Sequence, residues 1–190
     1  MTMIFELPRG EGDFRHMMVA GLLPKAKCSA RYFLNEAGKI ASVSAQVIDA
    51  RFVAGLDHLI TAGMLAARTW NTSDNISRSP ATEILLYASG ERQIKEAISQ
   101  LGVTESSFGW VVFAVSSSES RLLELQKMLA DFGSEDDGLI DLSDLKEKGL
   151  MEKFAISPED LELVLKLTPS RIESLRSLVL EKVSLSELSR

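Results

Sequence analysis

The chain has 190 residues, of which 45% are hydrophobic, 6% aromatic and 25% charged. This composition is typical of a globular protein whose single core needs neither disulfides nor metals at this length. Its one cysteine, Cys28, cannot form an internal disulfide, and with His16 and His58 it shows no zinc-ligand spacing. We therefore expect one domain over residues 1–190, without metal or other cofactor.

The net charge of −6 is unevenly distributed. Residues 1–102 hold 11 Lys and Arg against 10 Asp and Glu, whereas residues 103–190 hold 10 against 17, a net charge of −7. Because an acidic surface repels a phosphate backbone, any contact with nucleic acid should be local and N-terminal. Residues 1–21 lack the layout of a signal peptide, and no apolar stretch approaches the roughly 20 residues of a membrane span. We expect no membrane association and a cytoplasmic location.

The N-terminal half predicts strands, one long helix and a polar loop. Met3–Leu7 and Arg15–Leu23 are predicted strands, and Val43–Val47 alternates apolar and polar residues as a half-buried strand does. Apolar residues at helical spacing then predict a helix over Arg51–Ala67. The segment Thr69–Pro80 is rich in Ser, Thr, Asn and Asp, which favours a loop.

The following residues continue the alternation of predicted strands and helices. Glu83–Ala88 is an apolar run too short for a typical helix, so it predicts a buried strand, and Gly90–Leu101 predicts a helix capped by Ser89. Trp110–Val115 is the clearest strand, and capping-box spacing from Ser116 predicts the next helix.

The C-terminal third is predicted to be helical after an acidic loop over Gly133–Asp137. Ser157-Pro158 and Thr168-Pro169 each place a capping residue before a proline, which predicts two helices within about residues 157–190. Intermixed strands and helices favour an α+β fold: a two-layer sandwich of a mixed or antiparallel sheet with packed helices.

Catalytic signatures are missing from the chain. It has no Gly-x-Ser-x-Gly elbow, phosphate-binding Gly-x-x-x-x-Gly-Lys loop or Gly-x-Gly-x-x-Gly fingerprint. We interpret Cys28 as an inert thiol, and His58 as a partly buried histidine bonded to a backbone carbonyl rather than as a base. The acidic residues at 135–144 lack the spacing of a calcium loop. We therefore expect no enzymatic activity and no small-molecule substrate.

One polar unit suggests a ligand. If Glu83–Ala88 is a strand, the loop before it and the helix after it offer free N–H groups, with Arg78 and Arg92 on either side. Guanidinium groups near amides can hold a phosphate and read an unstacked base. The alternative is a polar loop with its arginines in solvent, and Glu83 and Glu91 weaken the electrostatic case for RNA.

At this unit the sequence resembles a known family. Residues 75–102, NISRSPATEILLYASGERQIKEAISQLG, are similar to the signature of the PRPK-binding-protein family, the kinase-binding accessory subunit of the KEOPS complex. Gln46-Val-Ile-Asp-Ala50 and Gly55-Leu-Asp-His-Leu59 resemble the strand and helix that precede it in the family. Pro80 departs from the usual aliphatic residue. The resemblance covers about residues 46–103.

The resemblance implies an α+β fold without an active site, which docks on the KEOPS kinase subunit and assists threonylcarbamoyladenosine modification of tRNA. In archaeal members the subunit is also implicated in holding the 3′ CCA end of tRNA. The residues that match the family's motif, and are thus the candidates for the RNA end, are Asn75, Ile76, Ser77, Arg78, Arg92 and Gln93.

Kinase docking is harder to place from sequence. Phe52, Leu56 and Met64, on the predicted 51–67 helix, are candidates, although the pattern favours a core role for the same residues. A second reading of the function is a protein-binding kinase regulator that does not touch RNA, which the acidic C-terminal half favours.

Overall fold

The computed structural model describes residues 2–8, 10–26 and 28–186. Its strands form one antiparallel sheet in the order β1-β2-β4-β3, and β5 pairs with the end of β2 beyond β1. The strands are β1 Met3–Glu6, β2 His16–Pro24, β3 Val43–Asp49, β4 Trp110–Ser116 and β5 Gly133–Glu135.

Helices connect the strands and make up most of the C-terminal third. They are α1 Ala30–Ala37, α2 Leu56–Thr72, α3 Pro80–Ser89, α4 Ile94–Leu101, α5 Glu119–Phe132, α6 Asp144–Lys153, α7 Pro158–Leu165 and α8 Arg171–Leu185. Among the described residues no helix is both long enough and apolar enough to cross a bilayer.

Both faces of the sheet are buried. Successive residues of a strand point to opposite faces, so Met17 and Val19 of β2 join one cluster while Met18 and Ala20 join the other. The first cluster packs against α2, α3 and α8, and the second against α1 and α5. This arrangement confirms the α+β sandwich, with an antiparallel sheet and packed helices.

The predicted strand over Glu83–Ala88 is wrong, because this segment lies in helix α3. Pro80 occupies the first turn of the helix, and Gly90 ends it in the left-handed conformation at φ 71°. Every residue from Glu83 to Ser89 is buried, so the helix has no solvent-facing stripe in this stretch to produce a 3.6-residue period. A short, fully buried helix therefore has the same apolar pattern as a buried strand.

Two other helices begin at different residues from those that the sequence predicts. The helix expected over 51–67 begins at Leu56 and continues to Thr72, because residues Ala50–Phe52 form a separate turn of 3₁₀ helix held by the Asp49 side chain. The helix expected from Gly90 begins at Ile94, since Ser89 and Gly90 end α3 instead of capping α4. The loop predicted over Thr69–Pro80 is correspondingly shortened to residues 73–79.

The C-terminal helices are confirmed with small corrections. Ser157 and Asp160 form a capping box at the start of α7, whereas α8 is capped by Ser170 rather than Thr168. Residues 133–135 of the expected acidic loop form β5. Helices α1 and α6 were not predicted, and residues 187–190 of the predicted helical segment lie outside the described residues.

Candidate functional site

The loop over residues 73–79 joins α2 to α3 and carries four of the predicted RNA-binding residues. Helix α2 ends where Ser73 adopts the left-handed conformation at φ 62°. The Asn75 side-chain amide then donates to the Ser77 carbonyl at 2.7 Å, and the Ser77 hydroxyl accepts from the Ser79 N–H at 3.1 Å. Short polar side chains that bond to nearby backbone in this way shape a turn. Asn75 and Ser77 therefore define the shape of the loop.

A buried carboxylate holds the centre of the loop. Glu83, in the first turns of α3, is fully buried, and its Oε2 accepts the N–H of Ile76 at 3.1 Å and that of Ser77 at 2.7 Å. The backbone donors that an external anion could have used are thus bonded to the protein's own carboxylate. Sequence reasoning treated Glu83 only as a nearby negative charge. An acidic residue inside an apolar run was the signal that it has a buried role.

The same loop presents two side chains to solvent. Ile76 is 43% exposed, although isoleucine is among the residue types most often buried, and Arg78 is exposed two residues later. An apolar side chain beside a guanidinium can contact the face of a base and a phosphate together. Of the four candidate residues in this loop, these two are the exposed ones.

Arg92 and Gln93 lie at the other end of α3. Both are exposed, and Gln93 is the N-cap residue of α4. Ten residues of α-helix separate the two arginines along the chain, an axial rise of about 15 Å. The predicted anion site between a strand and the helix that follows is therefore not formed. A ligand that touched both Arg78 and Arg92 would have to extend along α3 over several nucleotides.

The predicted kinase-facing residues occupy three different environments. Phe52 lies in the 3₁₀ turn before α2, where its ring packs 4.8 Å from the Lys153 Nζ and 5.4 Å from the Arg51 guanidinium carbon. Leu56 opens α2 and packs partly buried against the main core. Met64 is 39% exposed on the outer side of α2. Exposure therefore favours Met64 as a docking residue over the other two.

Met64 lines a shallow groove of about 350 Å³. The groove runs between the outer side of α2 and Pro8, and its lining is more apolar than polar. Its other lining residues include Arg68 and Asn71 near the end of α2, which leads into the 73–79 loop. The part of α2 that lines the groove is thus followed directly along the chain by the 73–79 loop.

His58 has a structural role. It is fully buried, its Nε2 lies 2.7 Å from the Ala88 carbonyl, and its Nδ1 accepts the Ala54 N–H at 3.3 Å. A carbonyl can only accept and an N–H can only donate, so the ring is the neutral Nε2–H tautomer. Burial lowers the pKa of His58 to about 4. The hydrogen bond to Ala88 acts to raise the pKa, and the nearby Lys146 acts to lower it. The expected bond to a backbone carbonyl is confirmed.

Lys146 of α6 is a second buried titratable group. Its Nζ donates to the carbonyls of Leu139 at 2.8 Å and Val53 at 3.2 Å, which joins α6 to two loops of the main core. Burial lowers the Lys146 pKa to about 8, although Asp141 and Asp49 act in the opposite direction. His58 and Lys146 are therefore both committed to backbone contacts.

Neither a reactive thiol nor a metal centre emerges from the geometry. Burial raises the Cys28 pKa above its usual value despite the nearby Lys25, so the thiol is protonated at neutral pH. Within residues 2–8, 10–26 and 28–186, no three His, Cys, Asp or Glu side chains come together as metal ligands.

These observations define the class of protein: an α+β domain whose notable exposed features are an apolar groove and a loop that presents an isoleucine and an arginine. The model of the kinase binding protein CGI-121 family matches residues 30–187, so the chain belongs to that family. The match confirms the resemblance seen in residues 46–103 and extends it over most of the chain. No curated protein matches the sequence.

Proposed function

We propose that this protein is a non-catalytic regulatory subunit of a cytoplasmic KEOPS complex. In this role it binds the kinase subunit and the 3′ CCA end of tRNA, and so supports threonylcarbamoyladenosine modification. Membership of a kinase binding protein family supports the kinase contact. The commitment of His58 and Lys146 to backbone contacts agrees with chemistry that is carried out by a neighbouring subunit.

One observation carries the RNA part of the proposal. The 73–79 loop holds its own backbone by internal hydrogen bonds and leaves Ile76 and Arg78 facing solvent. A single-stranded end of three nucleotides needs few phosphate contacts, and each unstacked base offers a face for an apolar side chain. A small contact of this kind is compatible with a chain of net charge −6.

The experiment compares intact tRNA with tRNA that lacks its CCA end. We expect the purified protein to bind intact tRNA in a fluorescence anisotropy titration and to lose most of that affinity when the CCA end is removed. Arg78→Ala should weaken binding about tenfold, because it removes a charge-assisted contact to phosphate. Lys166→Ala, which removes an exposed cation at the end of α7, is the matched control and should bind as wild type does.

Equal affinity for intact and trimmed tRNA would contradict the proposal. In that case the second function, a protein-binding kinase regulator without RNA contact, becomes the better one. The net charge of −7 over residues 103–190 favours it, as does the exposure of Leu163 and Leu167 at 62% and 85%. Co-purification with the kinase subunit, together with no salt-sensitive tRNA binding, would establish this alternative.

A further inference from the structure

We propose that Glu83 is a positioning residue for the RNA contact: its carboxylate holds the 73–79 loop in the one shape that presents Ile76 and Arg78 together. The inference rests on the proposed function, since the ligand is the RNA end. It assigns a role to a residue that cannot itself touch RNA, because Glu83 is fully buried.

The contact between Glu83 and the loop requires a hydrogen-bond acceptor at position 83. A single carboxylate oxygen of Glu83 receives the N–H groups of two consecutive residues, Ile76 at 3.1 Å and Ser77 at 2.7 Å. Backbone donors bonded to an ionised acceptor form stronger hydrogen bonds than neutral pairs do. Two such bonds to one atom restrict the orientation of both peptide units and, with them, the direction of the Ile76 side chain.

Packing alone does not explain a glutamate at position 83. The residues that follow it in α3, from Ile84 to Ala88, are apolar and buried in the main core. A carboxylate in such a position costs free energy unless its oxygens are hydrogen-bonded. The loop amides supply two such bonds to Oε2, so the loop and the carboxylate stabilise each other.

The other anchors of the loop lie on either side of this contact. Ser44 of β3 pairs with the Ser79 hydroxyl at 3.0 Å and accepts the Ala81 N–H at 3.0 Å, which secures the C-terminal end of the loop. The bond from Asn75 to Ser77 lies within the loop and does not join it to the core. Glu83 therefore connects the centre of the loop to α3.

Holding the loop in place before the ligand arrives lowers the cost of binding. An exposed isoleucine on a mobile loop would lose conformational entropy on contact with a base, whereas one on a fixed loop loses less. Losing the Glu83 contact should therefore weaken RNA binding through Ile76 and Arg78, without removing either side chain.

The test is a double-mutant cycle on tRNA affinity with Glu83→Met and Ile76→Ala. Glu83→Met keeps the size of the side chain and removes the acceptor, whereas glutamine would retain an oxygen able to accept both N–H groups. We expect Ile76→Ala to bind intact tRNA about tenfold more weakly than wild type, and Glu83→Met to bind at least as weakly because it misplaces both Ile76 and Arg78. Adding Ile76→Ala to Glu83→Met should cost little more affinity, since the side chain it removes is already out of place. Ile84→Val, at the next residue of α3 and buried in the main core, is the control for lost stability and should keep wild-type affinity.

Additive effects in the cycle, or wild-type affinity of Glu83→Met, would overturn the inference while leaving the proposed function intact. If wild type itself does not distinguish intact from trimmed tRNA, the proposed function fails and this inference fails with it. A measurement on the wild-type protein covers the case in which Glu83→Met does not fold. Hydrogen exchange of the Ile76 and Ser77 amides should be at least about tenfold slower than that of an unstructured chain, and unprotected amides would refute the contact.

Discussion

At the scale of single residues, buried polar side chains bond the backbone of neighbouring elements. His58 joins the start of α2 to the end of α3, and Glu83 joins α3 to the loop before it. Each group satisfies backbone donors or acceptors that would otherwise be buried without a partner, which costs about 1–3 kcal/mol per group. These residues therefore determine how α2, α3 and the loop are placed relative to one another.

The buried His58 should make stability depend on pH. Its pKa is about 4 in the folded protein and 6.5 in the unfolded chain, so the unfolded chain binds the extra proton first as the pH falls. The contribution of the neutral ring to the free energy of unfolding is fully present above pH 6.5 and is lost as the pH falls to 4. The free energy of unfolding changes by about 3 kcal/mol over this range. Urea unfolding at several pH values should show that His58→Gln loses less of its free energy of unfolding between pH 6.5 and 4 than wild type does.

The control for this experiment is His16→Gln, which replaces the only other histidine in the chain. Carboxylates that titrate in the same range are common to all three proteins, so the comparison isolates the histidine. Equal pH dependence in wild type and His58→Gln would show that the ring of His58 is not held neutral by the fold.

At the scale of elements, α3 shows why burial can conceal the type of secondary structure. Sequence periodicity reports which side of an element faces water, so an element with little exposed surface has no period to read. The end signals of α3 are local and remain visible: Pro80 in the first turn and Gly90 after the last. Given more weight than the apolar run, they would have predicted a helix.

Gly90 should be required for the turn between α3 and α4. Its φ of 71° is strained for a residue with a Cβ, whereas the nearest atom to such a Cβ is the Lys182 carbonyl oxygen at an ordinary 3.8 Å. Gly90→Ala should therefore destabilise the protein by about 1–2 kcal/mol through backbone strain alone. Urea unfolding should show Gly90→Asn to be less destabilised, since asparagine adopts this conformation more readily.

A loss of stability equal in Gly90→Ala and Gly90→Asn would point to crowding by the side chain instead of strain in the backbone. Because the turn separates Arg78 from Arg92, tRNA affinity of these variants would also show whether the far end of α3 contributes to binding.

At the scale of the whole molecule, charge limits the kind of nucleic-acid contact that is possible. The N-terminal 102 residues carry a net charge of +1 and the remaining residues carry −7. A protein of this kind cannot follow a long phosphate backbone, but a few cations near α3 can meet a single-stranded end. The acidic C-terminal part is then available for contact with protein.

The salt dependence of tRNA binding should be weak. With two or three phosphates neutralised, the slope of log K against log salt for a single strand should be about −1.5 to −2. Arg78→Ala should reduce the magnitude of this slope by about 0.7, and Lys166→Ala should leave it unchanged. A slope steeper than about −4 in a titration from 50 to 200 mM salt would indicate broad electrostatic contact and contradict a local site.

The sequence alone was sufficient for the class of fold and the family. Alternation and apolar runs predicted β1 to β4, capping residues predicted α7, and the motif over residues 75–102 indicated the family that the match over residues 30–187 confirms. These features are local, so they are visible in neighbouring residues. Helix α5 was also predicted, but its N-cap is Ser118 without a side-chain cap bond, so the capping box expected from Ser116 is not formed. Helix α6 escaped prediction because its residues show almost no amphipathic period.

Only the tertiary structure decided which candidate residues act together. Hydrogen bonds that join one element to another segment, such as Glu83 with the loop amides and Lys146 with Val53, depend on how elements pack and leave no periodic trace in the chain. Packing also buried α3 on all sides, which erased the pattern that would have identified it as a helix and placed Arg78 and Arg92 at its opposite ends. Local chemistry therefore determined the elements and the family, whereas long-range contacts determined the shape of the candidate site.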